Sequence, residues 1–452
     1  RSPCHRRCAR RPQLLSDECP AMNPCQLLFL LLLALGMQTT HAAPQIERWQ
    51  TTAGARVLFV ETHALPIVDI QVDFAAGTAY EGAGQAGVAS LTRELVELGV
   101  AGMDEAQLAD RMADVGAELA GGVDRDRASI ALRTLSMADK RAVALDLLRA
   151  VLSTPQFPAA VFEREKARSV ASLKEALTRP ETLAERALWT AMYPSHPYGR
   201  QATAESVAAL ERPQVLAFHA ANYTAPRATL TIVGDLSRAQ AEAAAEKLTA
   251  ALPATPGMTA IAVPELPRSG EQRIAHPALQ AHLLLGLPAL KRGDPDFFPL
   301  LVGNYSLGGG GFVSRLMKAV RDQRGLAYSV HSYFQPLAQL GPFEIGLQTK
   351  KEQAQEALKL TREVLAGFLA QGPSEEELLA AKQNLMGSFP LRLDSNRGIL
   401  NSVAVIGFYE LPLDYLDRYP DNIEKVTLAD IKAAFARRVR PQHLVTVIVA
   451  GE

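Results

Sequence analysis

Ile67-Val68-Asp69-Ile70-Gln71-Val72-Asp73-Phe74 puts Val68, Ile70, Val72 and Phe74 on one side of an extended chain and Asp69, Gln71 and Asp73 on the other. Side chains alternate across a strand with period two, so this octet predicts a half-buried antiparallel strand with its apolar face on a core. Apolar, β-rich runs at 227–233 and 443–449 predict two further strands, one closing each half of the chain. Between the strands lie helical stretches with start signals, such as Ser374-x-x-Glu377 and Thr427-x-x-Asp430, where a hydroxyl and an acid three residues on cap the first turn.

The second half repeats the first. Ala144, Leu145, Arg149, Val151 and Leu152 recur as Ala357, Leu358, Arg362, Val364 and Leu365, an offset of 213. Lys166 falls against Lys382, Phe218 against Phe435 and Gly234 against Gly451, with the offset drifting to 216 and 217. Small loop changes in a duplicated domain give such drift, and the period is far too long for a solenoid. Residues 253–270 carry Pro253, Pro256, Gly257, Pro264, Pro267 and Gly270 without sustained periodicity and read as a linker. The predicted architecture is α+β: two homologous domains, 43–252 and 271–452, each an antiparallel sheet covered by helices.

Of the 452 residues, 48% are hydrophobic and 21% charged, the balance of a soluble globular protein. Formal charge is −1; without the five arginines and two acids of the first 42 residues, 42 basic groups face 46 acidic ones. That excludes a nucleic-acid or anionic-membrane surface as the main business of the chain. Residues 1–42 read as a leader. The apolar run 27–35 is about half the roughly 20 residues needed to span a bilayer, and small residues around Ala42 suit signal peptidase. Met22 is the expected initiator, and export to the periplasm the expected fate, with no stable membrane span. All four cysteines, Cys4, Cys8, Cys19 and Cys25, precede the apolar run, so the mature chain has neither a disulfide nor a thiolate metal site. No two of the nine histidines have the i, i+2 or i, i+4 spacing of a local metal clamp.

Residues 306–330 read SLGGGGFVSRLMKAVRDQRGLAYSV. Gly308, Gly309, Gly310 and Gly311 precede a helix predicted over 312–323. Ser314-Arg315 stands where a phosphate-binding loop needs Lys-Ser/Thr, so read alone the run is a flexible helix entry. Arg321 and Tyr328 follow. An arginine offers fixed donors to a peptide carbonyl and a tyrosine hydroxyl can stabilise an oxyanion. The ordinary use of such residues is different: Arg321 on a nearby surface acid and Tyr328 packed at a strand start. Arg324 is the second candidate for the cation.

Together VLFVETHALPIVDI, GTAYEGAGQAG, FEREK, HPYGR, TIVGD and RGLAYSV resemble the pitrilysin/insulinase-type zinc peptidases, from about residue 45 to the end. The resemblance implies a two-domain half-shell, two of which close around an unfolded peptide. It also implies a first-half helix bearing His-x-x-Glu-His, two imidazoles one turn apart on one zinc with a glutamate as base. Here the matching positions are Ser90, Arg93 and Glu94. The family's third ligand is a glutamate six residues beyond the Glu-Arg-Glu-Lys tetrad; after Lys166 that position is Ser172, with Glu175 a turn further on as the one substitute. Serine is a very weak zinc ligand, and the permanent charge of Arg93 would repel the ion. No metal is therefore expected in this chain. By the same resemblance the Gly308–Gly311 run lies over the substrate cleft, and Arg321 and Tyr328 reach a substrate carbonyl near a zinc held by another chain. The turn containing His196 matches a structural motif of the family. The implied function is the non-catalytic, substrate-binding subunit of an exported heterodimeric zinc endopeptidase, with a homologous zinc-bearing subunit as partner. A periplasmic peptide-binding or scaffold protein without a peptidase partner is the alternative. The glycine-loop subunit of a mitochondrial processing peptidase is a third reading, which the short glycine run and the leader disfavour.

Overall fold

The computed structural model describes residues 44–255 and 260–451. The predicted leader, Met22 and the four cysteines lie outside these residues, as does the 256–259 stretch of the predicted linker. The described residues belong to one compact unit, 43–452, that contains two sheets.

The first sheet is built from β1 (Glu47–Gln50), β2 (Arg56–Glu61), β3 (Ile67–Phe74), β4 (Glu118–Val123), β5 (Ala128–Leu135) and β6 (Ala228–Gly234). The second has β7 (Gly270–Ala275), β8 (Gln280–Leu290), β9 (Ala327–Phe334), β10 (Gly341–Lys350) and β11 (Val445–Ala450). The helices of the first half are α1 (Val88–Leu95), α2 (Glu105–Asp114), α3 (Ala138–Ser153), α4 (Ala159–Ala176), α5 (Pro180–Met192), α6 (Ala204–Ala208), α7 (Arg212–Asn222) and α8 (Arg238–Thr249). Those of the second are α9 (Phe297–Asn304), α10 (Ala354–Gln371), α11 (Glu375–Ser388), α12 (Asn396–Phe408), α13 (Tyr419–Glu424) and α14 (Leu428–Arg438).

Strand order exposes the duplication. The first sheet runs β1-β2-β6-β3-β5-β4 and the second β7-β11-β8-β10-β9. With β1 set aside the two orders are the same, and the repeated Ala-Leu…Arg…Val-Leu pattern lies on α3 and α10. Each sheet is antiparallel except for one pair, β2/β6 and β7/β11, which run parallel. That follows from topology: β2 and β3 run in opposite directions, so a strand inserted between them must be parallel to one. Both predicted capping boxes form, the Ser374 hydroxyl accepting from Glu377 N at 3.1 Å and that of Thr427 from Asp430 N at 3.2 Å.

The alternation in β3 is real, but its polar face is not open to water. Asp69, Gln71 and Asp73 are all buried, because α12 of the second half lies across this side of the sheet. Burying carboxylates is tolerable only when they are paired. Asp69 takes two bonds from Arg133 at 2.8 and 2.9 Å, and Asp73 accepts from Ser129 at 2.6 Å with Arg127 at 3.3 Å. The guanidinium of Arg127 in turn sits 5.6 Å from the Phe408 ring of α12. A Cβ on Gly407 would lie 2.3 Å from Leu58, so only glycine lets α12 come this close.

The exchange is reciprocal. Helix α5 of the first half packs Ala184, Leu188, Trp189 and Met192 against Val445, Val447 and Val449 of β11. Asp126, fully buried in the turn between β4 and β5, ties the halves together. It accepts from the hydroxyls of Tyr198 (2.5 Å) and Tyr409 (2.8 Å) and from Ala338 N (2.8 Å). Among the described residues no helix is long and apolar enough to cross a membrane.

Candidate functional site

Helix α1 is fixed at its entry by a buried carboxylate. Glu81 accepts from Gly87 N at 2.9 Å and Ala89 N at 3.0 Å, filling two donors that the first turn leaves free. Burial pushes the Glu81 carboxyl up to about 7 against the pull of those two N–H groups. Gly87 itself has φ +104°, and a Cβ there would meet Val207 at 2.6 Å. With its start fixed, α1 presents Ser90, Arg93 and Glu94 one turn apart.

Ser90, Glu94 and Ser172 line one cavity of about 350 Å³ between α1 and α4. Glu175 does not line it. A larger adjoining cavity of about 750 Å³ is bounded by Arg93, Glu94, Glu97 and Glu105, by Ala120–Val123 of β4, and by Arg164, Glu165 and Arg168 of α4. Arg93 is not a free cation over this space. Its Nε donates to Ser129 O at 2.5 Å, its Nη2 to Ala120 O at 2.8 Å, and Glu97 pairs with it at 2.6 Å. Arg93 therefore braces the sheet, and Gly121 beside it (φ +134°) makes room, since a Cβ would meet Ser129 O at 2.1 Å.

The residue that the sequence reading passed over is Glu165, seen there only as part of a register marker. It is 2% exposed and flanked by Arg164 at 2.6 Å and Arg168 at 3.4 Å. Glu94 is hydrogen-bonded to it. Burial first, and Glu165 second, raise the Glu94 carboxyl above its usual pKa.

A zinc ion does not fit these residues. It prefers imidazole or thiolate in a tetrahedral set, and the positions offer two serine hydroxyls and one carboxylate already committed to Glu165. Among the described residues no group of three or more His, Cys, Asp or Glu side chains is placed to hold a metal ion. Elemental analysis of the purified chain after dialysis is expected to find less than stoichiometric zinc. The triple variant Ser90→His, Arg93→Glu, Glu94→His is expected to remain without tightly held zinc until Ser172→Glu is added, because a zinc with two protein ligands is weakly held. In it, Arg93→Glu also sets a carboxylate against the Ser129 and Ala120 carbonyls. One zinc per chain in the triple variant, resistant to a chelator, would overturn this.

In the second half, the glycine run is not a free loop. Helix α9 continues into a wide π-type turn, Tyr305–Gly309, and a short 3-10 turn, Gly311–Val313, follows it. Gly308 is buried under β9, where a Cβ would meet Ser332 Oγ at 2.4 Å; one on Gly309 would meet Asn304, and one on Gly310 Tyr305, each at 2.7 Å. Only Gly311 (φ +60°) has open space around it. The helix predicted over 312–323 is largely a second π-type segment, Met317–Gln323. Such segments recur at functional sites.

Arg321 lies in the last turn of this second segment, and Tyr328 is the second residue of β9. The structure brings them together: the Arg321 guanidinium lies 5.2 Å from the Tyr328 ring and 4.6 Å from that of Phe312. Tyr328 is 85% exposed and Phe312 67% exposed. The β9/β10 register shifts between Val330↔Leu347 and Ala327↔Thr349, so Tyr328 and Ser329 both face out at an irregularity. Neither half of the ordinary use applies, since Tyr328 is not packed and Arg321 makes no ion pair among the described residues. Arg324, by contrast, is paired with Glu356. Phe312 was not singled out from the sequence; an aromatic directly after a glycine run was the available signal. His196 holds structure, bonding Tyr198 N through Nδ1 and Ala262 O through Nε2.

A duplicated α+β unit with interlocked halves, a metal helix emptied of imidazoles and an Arg–Tyr pair whose tyrosine is exposed defines a peptidase scaffold without its own metal set. The family model of the insulinase peptidases (family M16) matches residues 56–205, and that of the M16 peptidase inactive domain matches 209–385. The crystal structure of a peptidase M16 inactive domain from Pseudomonas fluorescens is 38% identical, covers 90% of this chain and 98% of that one, and superposes with a TM-score of 0.87. The non-peptidase homolog YmxG of Helicobacter pylori is 27% identical over 94% of this chain and 98% of its own length. The periplasmic protease PqqL of Escherichia coli, 16% identical with a TM-score of 0.76, shares the fold over 96% of this chain and 51% of its own. The chain belongs to the M16, or pitrilysin/insulinase, peptidase family.

Proposed function

We propose that the chain is the non-catalytic, peptide-holding subunit of an exported two-chain zinc endopeptidase, whose homologous partner carries the zinc. The observation that carries this is the Arg321–Tyr328 pair, Tyr328 exposed and Arg321 half-buried without an ion pair to a carboxylate among the described residues, in a chain whose metal helix holds no imidazole. A donor pair suited to a carbonyl has no use on a chain lacking the metal, and acquires one when a partner's zinc faces it. The emptied helix lies beside β4, an edge strand with Gly121 and Gly122 exposed. An exposed edge accepts an extended peptide as an added strand. The name of the Helicobacter relative and the inactive-domain match support a non-catalytic role. Periplasmic export rests on the leader.

The test is reconstitution. The isolated chain is expected to bind an unfolded peptide without cleaving it, and cleavage is expected on mixing with a homologue bearing His-x-x-Glu-His. A chain that binds peptide but neither co-elutes with that homologue nor changes its turnover would instead be a peptide-binding or scaffold protein acting alone.

A further inference from the structure

A second cavity, of about 360 Å³, lies between α5 and the outer part of the second sheet, away from the emptied metal helix. That is within the roughly 300–1,000 Å³ range of small-ligand sites. Its charged and titratable lining comes from every element around it: Glu181 and Glu185 on α5, His282 on β8, His331 and Tyr333 on β9, and Glu344 on β10. No lysine or arginine lines it. Desolvation lowers the pKa of both imidazoles, which disfavours their charged form.

The decisive group is Glu344. It is 4% exposed, lies opposite Tyr333 across the β9/β10 pair, and its Oε2 has no hydrogen-bond partner. A buried carboxylate oxygen without a partner is costly, and a few such groups mark where a ligand completes the set. Gly346, one step along the same face of β10, leaves space over which the His331 ring lies; a Cβ there would be 3.0 Å from the ring.

We propose that this cavity binds a guanidinium or ammonium group, supplied by an arginine or lysine side chain of the peptide that the chain holds. The source, though not the cation chemistry, rests on the peptide-holding reading above. Strand β9 is the edge of its sheet, and Ser329, His331 and Tyr333 on it line the cavity immediately after Tyr328. A peptide added along that edge presents alternate side chains to the cavity face. Glu344 then gains the partner it lacks, and Glu181 and Glu185 flank the mouth. Burial pushes the Glu344 carboxyl up to about 7, with Glu185 adding and Tyr333 opposing. Binding of a cation therefore strengthens as the pH rises through that value and Glu344 ionises.

The experiment compares an unfolded peptide containing one arginine with its citrulline analogue, by anisotropy, on wild-type chain, Glu344→Gln and Glu185→Gln. Agmatine, a free guanidinium, is tested separately by thermal shift. The arginine peptide is expected to bind wild type at pH 8 roughly tenfold tighter than the citrulline one, as a charge-assisted bond to a buried carboxylate implies. That preference should shrink at pH 6, vanish in Glu344→Gln, and fall only in part in Glu185→Gln, whose site is on the exposed face of α5 and spares the core. Equal affinity for both peptides, with agmatine without effect, overturns the proposal. If neither peptide binds, the peptide-holding reading fails. The cation site then stands if agmatine stabilises wild type and not Glu344→Gln, and falls if it stabilises both equally or neither.

Discussion

Asp126→Leu is expected to destabilise the chain by about 3–5 kcal/mol, because it strips the acceptor from three donors at the joint, each left unsatisfied at a cost of roughly 1–3 kcal/mol. The substitution leaves the Tyr198 and Tyr409 hydroxyls and Ala338 N buried without their acceptor. Two of these three donors belong to the second half, so the loss is expected to fall on the joint between halves. The neighbouring contacts depend on the same joint: Arg125 donates to Tyr198 O at 2.6 Å and lies 3.4 Å from the Trp189 ring. Urea unfolding followed by tryptophan fluorescence would read the change, Trp189 reporting on α5 and Trp49 on the first sheet. A midpoint within experimental error of wild type would show that the network is replaceable. Asp126→Asn should cost less, since the amide keeps one acceptor. Its pH dependence carries a sign. Burial raises the Asp126 carboxyl above its ordinary value in the folded chain. The native state then holds that proton more tightly than the unfolded one, so this group's contribution falls as pH rises from the unfolded to the folded pKa. In Asp126→Asn that slope is expected to disappear.

Features set by local periodicity were legible in the sequence. The alternation at 67–74, the repeated pattern on α3 and α10 and the capping boxes at Ser374 and Thr427 each depend on neighbours within a few residues. The covering helices were not legible, because their partners are across the duplication. Nothing in Asn396–Phe408 says that α12 packs on the sheet of the other half. Without it, Asp69, Gln71 and Asp73 look like a solvent face. The glycine run misleads for a related reason. A row of glycines reads as freedom, yet Gly308, Gly309 and Gly310 are there because Ser332, Asn304 and Tyr305 press against them. The site divides in the same way. Arg321 and Tyr328 are close in sequence and their spacing could be read; Phe312, which holds Arg321 from the other side, and Glu165, which takes up Glu94, meet them only through space. Glu344 is the one acid in β10, between Phe343 and Ile345, and only the fold reveals that one of its carboxyl oxygens lacks a partner.

The second large effect is expected at Tyr328. In a complex of this chain with a zinc-bearing homologue, Tyr328→Phe should lower turnover on an unfolded peptide by more than tenfold while the two chains still co-elute. Removing one oxyanion donor commonly costs about 10²–10³ in turnover, roughly 3 kcal/mol, when charge develops in a dry site. The fold has little stake in the hydroxyl, since Tyr328 is 85% exposed and its ring, which Phe keeps, is what faces Arg321. A fall in turnover without a fall in stability is therefore diagnostic of a role on the substrate. Arg321→Ala should act more broadly. It removes a charge-assisted donor and frees the Phe312 and Tyr328 rings that bracket the guanidinium, so peptide affinity should fall together with turnover. Arg321→Lys should recover part of the affinity and less of the turnover, because an ammonium keeps the charge and loses the planar fork. Phe312→Ala, which only loosens Arg321, should lie between wild type and Arg321→Ala. Arg324→Ala serves as the control: its guanidinium is engaged by Glu356 on the surface, so turnover should hold. The measurement is single-turnover cleavage at saturating peptide with each variant mixed into the same partner. Unchanged turnover in both Tyr328→Phe and Arg321→Ala would make the pair a surface feature of the fold, and the chain would then be better described as a scaffold than as half of a catalytic chamber.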